Sequence, residues 1–555
     1  MKQKLKEKLK KSIMGRYLQD VRNLVNHPKR EILVWIDFFS FYFSASNFRK
    51  EQKRKISSKK TLLLYGTGQV YKMKLEGMLL RALELLDGTG VVLIHSRLDN
   101  WAYRYFRALG IENFLYQEDL EKEAEFLLDS EVIQFLESGN LDFKKIKDFE
   151  WKNGRLGAQA LGYLCRVSHQ GSFNLEDQLF HEKLKEVFKT LCKNRIISKK
   201  IYERIMPDHI LVNEANGLEF GPFVDEALEK KIDIIQQVQP SRDDALIFKR
   251  MSQKTRNCHP NSLSVESLNQ LKKNGWSSVH QNFLDEEFDR RYSGHWFLQK
   301  RNQPNTRDYT KSAFLSELKL DPQKKTVVIF AHILWDANLF YGEDLFKDFE
   351  EWFVETVKAA NENPYLNWII KMHPANLWKR DREQVDSEFA EVSVIKESIG
   401  NLNSHVALLY PDSNISTLSL FKNVDFAITV RGTSGLEAPC FGVKTLTGGT
   451  GRYSGLGFTT DFETKDDYLA MLKKLEHIVP MTQEEIKQAK LHAYGLFKLR
   501  PWVFHSFKTF FKYQKRGAHP LDHNLMINKN SNFEDFTQLG EWFFENQSLD
   551  FLNME

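Results

Sequence analysis

Residues 429–437 read Thr-Val-Arg-Gly-Thr-Ser-Gly-Leu-Glu and continue an apolar run that starts at Phe426. The run predicts a strand, and the small residues after it predict a tight turn into a helix. Unpaired N–H groups and the dipole at the start of a helix attract an anion. The sequence therefore predicts a phosphate-binding turn, and its residues are Arg431, Gly432, Thr433, Ser434 and Gly435. An ordinary strand-to-helix turn of an α/β protein is the alternative interpretation.

Glu437 is a candidate for binding a ribose next to that phosphate. It lies four residues after Thr433, which on a helix is about 6 Å further along the same face. We therefore add Glu437 to the predicted nucleotide-binding residues.

A His-Pro motif lies about sixty residues upstream. The apolar residues Trp368 to Lys371 predict a short strand, and Met372-His373-Pro374 ends it, because proline interrupts regular structure. Open α/β sheets bind ligands at the carboxyl ends of their strands. We expect Lys371 and His373 to contact the same nucleotide, with His373 also a catalytic candidate; an ordinary loop is the alternative.

The first strand of the same unit is predicted over Thr326 to Ala331, which opens into the polar-tipped loop His332 to Asp336 before a helical pattern. Strand, loop and helix in that order are typical of a nucleotide-binding α/β domain. His332 and Asp336 are predicted to face the cleft, and Asp336 is a candidate general base.

The N-terminal half also has an α/β pattern. The apolar runs Glu31 to Ile36, Thr61 to Tyr65 and Val91 to His95 predict strands, and residues from about 115 to 202 predict a helical insertion. His209 to Asn213 predicts a further strand that ends at Glu214. A carboxylate at a strand end is a candidate general base, and a loop-organising role for Glu214 is the alternative.

These patterns divide the chain into four parts. They are a basic helical N-terminus (1–30), an α/β domain (31–315), a second α/β domain that binds the nucleotide (316–490) and a C-terminal helical segment packed on the body (491–555). Within the first domain, residues 253–305 are polar and predict an irregular connection.

Four motifs resemble the capsule polysaccharide biosynthesis family of bacterial surface-glycan proteins. The motifs are His332 to Asp336, Lys371 to Pro374, Arg431 to Glu437 and Gly451 to Thr459. The resemblance covers roughly residues 320 to 465. Bacterial sialyltransferases and polysialyltransferases carry similar His-Pro and Ser/Thr elements.

The resemblance implies two facing Rossmann-like domains of the glycosyltransferase B type. It implies a transferase of a sugar similar to Kdo (3-deoxy-manno-octulosonic acid) or sialic acid, from a nucleotide-activated donor, with a CMP-sugar favoured, to a glycan or glycolipid acceptor held by the N-terminal domain. A phosphotransferase with a CDP-alditol donor and a non-catalytic partner in capsule assembly or export are the alternatives. Separately, the glycine-rich residues 447–453 predict a donor loop, to which we assign His332, Gly451, Tyr453 and Gly455; a plain flexible turn is the alternative interpretation.

Composition narrows the partners. The net charge of +5 on 555 residues, without a basic stripe of stacking aromatics, argues against a nucleic-acid partner. Four scattered cysteines indicate neither disulfides nor a zinc site, and a reducing cytoplasm fits them best. No Asp-x-Asp motif ends a predicted strand, so we expect no obligatory metal and no cofactor.

The N-terminus is basic and has Leu5, Leu9 and Ile13 at helical spacing. Such a helix can touch an anionic membrane, so we expect a cytoplasmic protein that can contact the inner face of the cell membrane or capsule assembly proteins. A solvated charged helix is the alternative interpretation.

Overall fold

Two large β-sheets with helices around them form the body of the protein. The computed structural model describes residues 13–50, 60–66, 68–123, 128–139, 141–300, 305–336, 339–512, 519–528 and 535–553. The predicted N-terminal helix through Leu5 and Leu9 lies outside these residues. So does Thr67, which lies between Gly66 and Gly68.

The strands of the described residues are numbered in chain order. They are β1 Thr61–Tyr65, β2 Thr89–Ile94, β3 Phe114–Tyr116, β4 His209–Val212, β5 Asp233–Val238, β6 Ala245–Met251, β7 Thr326–Phe330, β8 Asn367–Lys371, β9 Val406–Leu409, β10 Phe426–Thr429, β11 Lys444–Thr447, β12 Thr459–Thr460, β13 Trp502–Val503, β14 Phe507–Phe511 and β15 His523–Ile527.

The helices are numbered in the same way. They are α1 Ile13–Asn26, α2 Pro28–Ser44, α3 Ser46–Lys50, α4 Val70–Leu86, α5 Asn100–Ala108, α6 Gln117–Glu123, α7 Ser130–Glu137, α8 Phe143–Lys147, α9 Leu156–Ser168, α10 Gln178–Ile205, α11 Phe220–Glu229, α12 Val265–Asn274, α13 Ser278–Tyr292, α14 Phe297–Lys300, α15 Lys311–Glu317, α16 Phe349–Glu362, α17 Asn376–Glu383, α18 Ala390–Ser398, α19 Thr417–Asn423, α20 Ser434–Cys440, α21 Lys465–Leu472, α22 Gln483–Tyr494 and α23 Asp535–Phe544.

The C-terminal sheet has the strand order β12-β11-β10-β7-β8-β9, and all of its pairs are parallel. This is the doubly wound strand order of a Rossmann fold. Strands β7 to β9 are added toward one edge of the sheet, and the chain then returns so that β10 to β12 are added toward the other edge. The strands β7, β8 and β10 are buried along their whole length, as expected for a parallel sheet covered on both faces.

The N-terminal sheet has the order β13-β6-β5-β4-β1-β2-β3. Its strands β1 to β5 are parallel, and β6 and β13 are antiparallel to their neighbours. The prediction of an α/β protein with two Rossmann-like sheets is confirmed. The helices α6 to α10 follow β3 and precede β4, in the region where the sequence predicts a helical insertion.

The strand predicted over Glu31 to Ile36 is wrong, because these residues lie in α2. Val34 and Phe41 face the core, whereas Ile32, Leu33 and Ile36 are exposed. Both faces of the helix are therefore apolar, which hides the helical period and leaves an apolar run that looks like a strand.

Two further predictions are wrong. The segment 253–305 contains the helices α12, α13 and α14 instead of an irregular connection. The segment 491–555 forms β13, β14 and β15 in addition to α23, and β13 extends the N-terminal sheet by pairing with β6. Its aromatic residues follow a pattern that fits either a buried strand or a helix, so local spacing did not separate the two.

Among the described helices, none is both long and apolar enough to cross a bilayer.

Candidate active site

A cavity of about 280 Å³ lies where β7, β8 and β10 end, at the point where the strand order reverses. Open α/β sheets bind their ligands at this point. Residues from both halves of the protein line this strand-end cavity; they include Ser241, Arg291, Tyr292, Gln299, His332, Lys371, His373, Thr417, Thr429, Gly432, Thr433, Ser434 and Glu437. The predicted His-Pro motif and glycine turn therefore meet in one cavity.

The glycine turn, residues 430–435, presents free donors to the cavity. The amides of Val430 and Arg431 donate to His332, and the amide of Gly432 donates to the hydroxyl of Thr429. Throughout the part of the chain that the structure describes, no acceptor is found for the next two amides, those of Thr433 and Ser434. Two adjacent unpaired N–H groups at a helix start favour an anion.

Lys371 adds an uncompensated positive charge to the same cavity. Its side chain is buried, with 4% of the residue exposed, and it makes no ion pair or hydrogen bond with any described residue. Burial lowers the pKa of Lys371 to about 8. A buried ammonium without a partner is costly, and an anion bound in the cavity would offset this cost.

His373 is a neutral hydrogen-bond donor at this site. Its Nδ1 accepts a hydrogen bond from the amide of Ala375 at 3.2 Å, which assigns the proton of the neutral ring to Nε2. Burial lowers the pKa of His373 to about 4; the charges of Lys379 and Lys371 act in the same direction and Asp336 opposes them. His373 therefore donates from Nε2 at neutral pH.

His332 organises the glycine turn. Its Nε2 lies 3.2 Å from the amide of Val430 and 3.1 Å from the hydroxyl of Thr429, and its ring stacks on Phe349. Burial, together with the charges of His373 and Arg431, holds the pKa of His332 well below its usual range. A neutral His332 keeps the lone pair that accepts these bonds, so the residue predicted for a donor loop fixes the turn instead.

The phosphate-binding role of the Arg431 side chain stays a prediction, and the contacts observed for this side chain lie outside the strand-end cavity. Its guanidinium points away from the cavity, donates to the carbonyl of Phe340 at 2.7 Å and forms a buried ion pair with Asp344. Arg431 thus anchors the turn to the loop before α16. The sequence did not reveal this because Asp344 lies 87 residues away.

Glu437 lines the cavity, but both of its carboxylate oxygens already accept hydrogen bonds. Arg291 donates to one oxygen, and the Tyr292 hydroxyl donates to the other at 2.7 Å. The ion pair with Arg291 is buried on both sides. It joins α13 to α20, so the ribose-binding role of Glu437 stays a prediction and its observed role is to join these helices.

The two predicted carboxylate bases do not line the strand-end cavity. Glu214 is exposed, and its Oε1 accepts from the amides of Ala215 and Asn216, as in the alternative loop-organising role. Asp336 forms an ion pair with Lys379. Burial raises the pKa of Asp336, but Lys379 outweighs it and the pKa is lowered overall, which keeps the carboxylate ionised and paired.

The predicted donor loop supports the back of the glycine turn. Tyr453 is fully buried and donates to the carbonyl of Gly432 at 2.8 Å. A Cβ on Gly451 would lie 2.7 Å from Cβ of Arg431, so only glycine fits there. The amide of Gly455 donates to Asp461. None of these three residues lines the strand-end cavity, and Tyr453 and Gly451 contact the turn from its other side.

We expect Gly435→Ala to displace the glycine turn. The added methyl group would overlap the hydroxyl end of Tyr453, which is fully buried and bonded to Gly432. Overpacking of this kind costs about 1–3 kcal/mol. Urea unfolding should show this loss, and the second substitution Tyr453→Phe should recover part of it by removing the overlapping oxygen. Equal stabilities of Gly435→Ala and the wild type would contradict this packing.

Sequence analysis missed a second cavity of about 180 Å³ on the other side of α20, here called the side cavity. Ser241, Arg291 and Thr433 line both cavities. Glu287 and Arg452 line only the side cavity. Glu287 is buried, its Oε2 has no hydrogen-bond partner, and burial raises its pKa although Arg291 opposes this.

Arg452 is the second uncompensated cation near the turn. It is partly buried, and its guanidinium makes no ion pair or hydrogen bond within the described ranges. Burial lowers the pKa of Arg452; Tyr453 and the Glu437 carboxylate oppose this shift, and the charge of Arg291 adds to it. One sequence pattern could have indicated the helix that carries Glu287. Leu284, Phe288 and Arg291 repeat at helical spacing, and all three are buried on α13.

A further cavity of about 400 Å³ lies elsewhere and is here called the hairpin cavity, after the pair of N-terminal helices α1 and α2. It is formed by the start of α4, by Arg30 and Val34 of α2, and by Trp378 and Arg382 of α17. Trp101 and Phe297 also line it, so it has an aromatic and cationic wall. Phe297 and Gln299 both belong to α14, which places this cavity next to the strand-end cavity.

No group of three or more His, Cys, Asp or Glu side chains is arranged to hold a metal ion in the described part of the chain. Cys165, Cys192, Cys258 and Cys440 are free thiols.

The fold and the site define a doubly wound α/β protein with a cavity at the strand ends of its C-terminal sheet, lined by the buried Lys371 and the glycine turn. Residues 239–484 match the family described as capsule polysaccharide biosynthesis protein, which confirms the resemblance expected from the sequence. The matched segment includes α13, α14 and the motifs that line the strand-end cavity. No curated protein matches the chain significantly.

Solved structures with similarity to this chain include two of stated activity. The β-Kdo 2,4-transferase KpsC of Thermosulfurimonas dismutans is 14% identical, with a TM-score of 0.29 and coverage of 60% of this chain and 87% of that chain. The UDP-GlcNAc 2-epimerase of Neisseria meningitidis, bound to UDP-GlcNAc, is 11% identical, with a TM-score of 0.25 and coverage of 79% and 96%.

Proposed function

We propose that this protein is a glycosyltransferase of surface-polysaccharide synthesis that transfers a sugar from a nucleotide-activated donor to a glycan acceptor. Lys371 is the observation that carries the proposal. It is a buried lysine without a counter-ion among the residues that the structure describes, and it shares a cavity with the two amides of the glycine turn for which no acceptor is found among them. A phosphate of the donor fits this set of one cation and two N–H groups.

The departing phosphate is stabilised by groups that are already in place. The acceptor oxygen bonds to the anomeric carbon, the bond from that carbon to the phosphate oxygen breaks, and its electron pair stays on the nucleotide. Lys371, His373 Nε2–H and the amides of Thr433 and Ser434 bind the negative charge that develops there. Fixed donors of this kind are typically the largest contribution to rate in transfer reactions.

The sugar we propose is acidic, and Arg452 is the reason. Its unpaired guanidinium lines the side cavity, which adjoins the turn through Thr433. A carboxylate is the natural partner of a planar guanidinium. A sugar similar to Kdo or sialic acid carries that carboxylate, and such sugars are activated as CMP derivatives, so we favour a CMP-sugar as the donor.

Glu287 is the proposed general base, in place of Glu214 and Asp336. Its carboxylate accepts the proton of the attacking hydroxyl. We expect Glu287→Gln to lower kcat by about 10²- to 10⁴-fold while CMP affinity stays unchanged. Because burial raises the pKa of Glu287, the activity of the wild type should rise with pH, and the midpoint of this rise should lie above the usual range of glutamate pKa values. The variant should lack this rise. Kinetics across pH measure both effects.

Glu286→Gln is the matched control, because Glu286 is the exposed neighbour on the same helix and pairs only with Arg290. It should keep the wild-type pH profile. A Glu287→Gln enzyme with the same kcat and profile as the control would show that another group accepts the proton.

The outer sugar units of the acceptor are proposed to bind in the hairpin cavity, while its attacking hydroxyl lies next to Glu287 in the side cavity. Trp101 and Trp378 line it, and Arg382 and His519 add polar and cationic groups. Sugar rings bind well to aromatic faces, and these groups leave room for several sugar units. The cavity is built from both halves of the chain, so a bound acceptor would contact α17, the helix that follows His373.

A two-part experiment tests the function. Thermal unfolding with CMP, CDP, UMP and UDP should show stabilisation by a cytidine nucleotide, about 2.7 kcal/mol at a hundredfold excess over Kd. Transfer from CMP-Kdo and CMP-sialic acid to capsule oligosaccharides is then followed by mass spectrometry in excess chelator, where activity should persist. Activity that is lost in chelator and restored by a divalent ion would refute metal independence.

The same experiment separates the alternatives. Phosphorus in the product would assign a CDP-alditol phosphotransferase. Absence of stabilisation by every nucleotide would favour a non-catalytic partner in capsule assembly or export. The site of action we propose is the cytoplasmic face of the cell membrane, where activated sugars and glycolipid acceptors meet.

A further inference from the structure

The N-terminal helices α1 and α2, residues 13–44 and here called the hairpin, present a surface unlike the rest of the protein. The polar side of α1 faces the body. Arg16 donates to the carbonyl of Arg97 and to the Tyr116 hydroxyl, and Asp20 accepts from Asn100 at 2.8 Å and from Arg104. A helix on a water-exposed surface has the opposite orientation, with its apolar side inward.

The apolar sides of both helices face outward. Their exposed large apolar residues are Met14, Tyr17, Leu18, Val21, Leu24 and Val25 on α1 and Ile32, Leu33, Ile36, Phe39, Tyr42 and Phe43 on α2, with exposed fractions between 37% and 73%. These twelve outnumber the ten other such residues in all remaining described ranges. A concentration of exposed apolar residues on two consecutive helices marks a binding surface.

Hydrogen bonds hold α2 in this orientation. Its inner side carries Glu31, which accepts from the indole of Trp101 at 3.1 Å, and Asp37, which accepts from Lys74 and Tyr105. The inner side of the hairpin is therefore fixed by these polar contacts together with the buried side chains of Val34 and Phe41. Turning the apolar side inward would break these buried contacts, so the outward orientation is a property of the fold.

The charge of the hairpin and of the residues that flank it in sequence indicates what kind of partner binds its apolar side. Residues 1–60 contain seventeen Lys and Arg against five Asp and Glu, an excess of twelve positive charges on a chain whose total excess is five. The remaining residues are therefore net negative by seven. On the hairpin, Arg22, Lys29 and Arg30 are exposed, whereas Asp20 and Glu31 are used in the inner contacts.

We propose that the hairpin docks the protein on the surface of a bilayer that contains anionic lipid. The apolar side inserts among the acyl chains near the headgroups, and the basic residues bind the lipid phosphates. A second copy of this chain is a less suitable occupant because it would bring two strongly positive segments together. The proposal does not depend on the nucleotide site.

Docking would also place the hairpin cavity beside the lipid. Arg30 and Val34 of α2 form part of its wall. An acceptor that is anchored in the same bilayer would then reach the cavity without leaving the membrane surface.

Vesicle flotation tests the proposal with the full chain and no nucleotide. The wild type should float with vesicles of phosphatidylcholine and phosphatidylglycerol and should bind much less to phosphatidylcholine alone. Leu18→Glu should weaken partitioning about tenfold or more, because a buried leucine contributes about 1.5–3 kcal/mol. Leu179→Glu is the matched control, since Leu179 is 53% exposed and Leu18 is 52% exposed; it should bind as the wild type does.

Circular dichroism of both variants checks that the fold is kept. The proposal is overturned if the wild type remains in the unbound fraction at all lipid compositions. It is also overturned if a folded Leu18→Glu variant floats to the same extent as Leu179→Glu. It is also overturned if sedimentation shows a dimer that Leu18→Glu dissociates, because the surface would then belong to a second copy. If the protein binds vesicles but no nucleotide stabilises it in the thermal-unfolding experiment, the docking proposal stands and only the transferase proposal is refuted.

Discussion

Lys371→Met is expected to abolish nucleotide binding and to make the empty protein more stable. The substitution removes a buried charge that no described residue compensates. Losing its bond to a phosphate should cost about 2–5 kcal/mol of binding, roughly 30- to 5,000-fold in Kd. The lowered pKa of about 8, against the usual 10.5, corresponds to a folding cost on the order of 3 kcal/mol that the methionine relieves.

The pH dependence of this gain has a definite sign. Below pH 8 the lysine is charged in both the folded and the unfolded state, so the full cost is present. As the pH rises from about 8 toward 10.5, the folded state releases its proton first and the cost disappears. The stabilities of wild type and Lys371→Met, measured by urea unfolding, should therefore differ most near neutral pH and converge in alkaline buffer.

Lys444→Met is the control, because Lys444 lies in β11 and pairs with Glu485 at 2.7 Å. This variant should bind nucleotide normally and should not gain stability. A Lys371→Met protein that binds CMP as tightly as the control, or that is less stable than the wild type, would contradict the uncompensated charge.

Arg431→Ala should destabilise the whole nucleotide-binding half. Its ion pair with Asp344 is buried on both sides, and removing one partner leaves a buried carboxylate without its cation. Breaking such a pair costs about 3–5 kcal/mol. The loss should appear in urea unfolding of the empty protein, before any ligand is added. This expectation differs from that for a phosphate-binding arginine, whose removal would lower affinity and spare the fold.

A double-mutant cycle gives the sharper measurement. Arg431→Ala combined with Asp344→Ala should be less destabilised than the sum of the single changes, because neither charge is then left unpaired. Arg290→Ala, which breaks an exposed pair with Glu286, should cost less than about 1 kcal/mol. Additive single effects, or an Arg431→Ala protein as stable as Arg290→Ala, would contradict the buried pair.

The sequence predicted the features that depend on local pattern. The strands that end at Ala331, Lys371 and Val430 were identifiable because apolar runs lead into polar or glycine residues. The carboxyl ends of parallel strands lie at the same edge of a sheet. The fold class therefore predicted that His373 and Ser434, which follow two such strands, lie close together. This proximity is observed in the strand-end cavity.

The long-range partners were not predictable from spacing. Arg431 pairs across 87 residues with Asp344, and Glu437 across 146 residues with Arg291. Each pairing turns a side chain that looks free in the sequence into one that holds two elements together. Lys371 shows the reverse case: folding buried it and gave it no partner, and this absence within the described chain is the most informative fact about the site.

A crystal structure of the protein with CMP bound tests the central claim most directly. The account predicts that the phosphate lies in the strand-end cavity, within hydrogen-bond distance of Lys371 Nζ and of the amides of Thr433 and Ser434. A phosphate bound anywhere else, with Lys371 still unpaired, would contradict it.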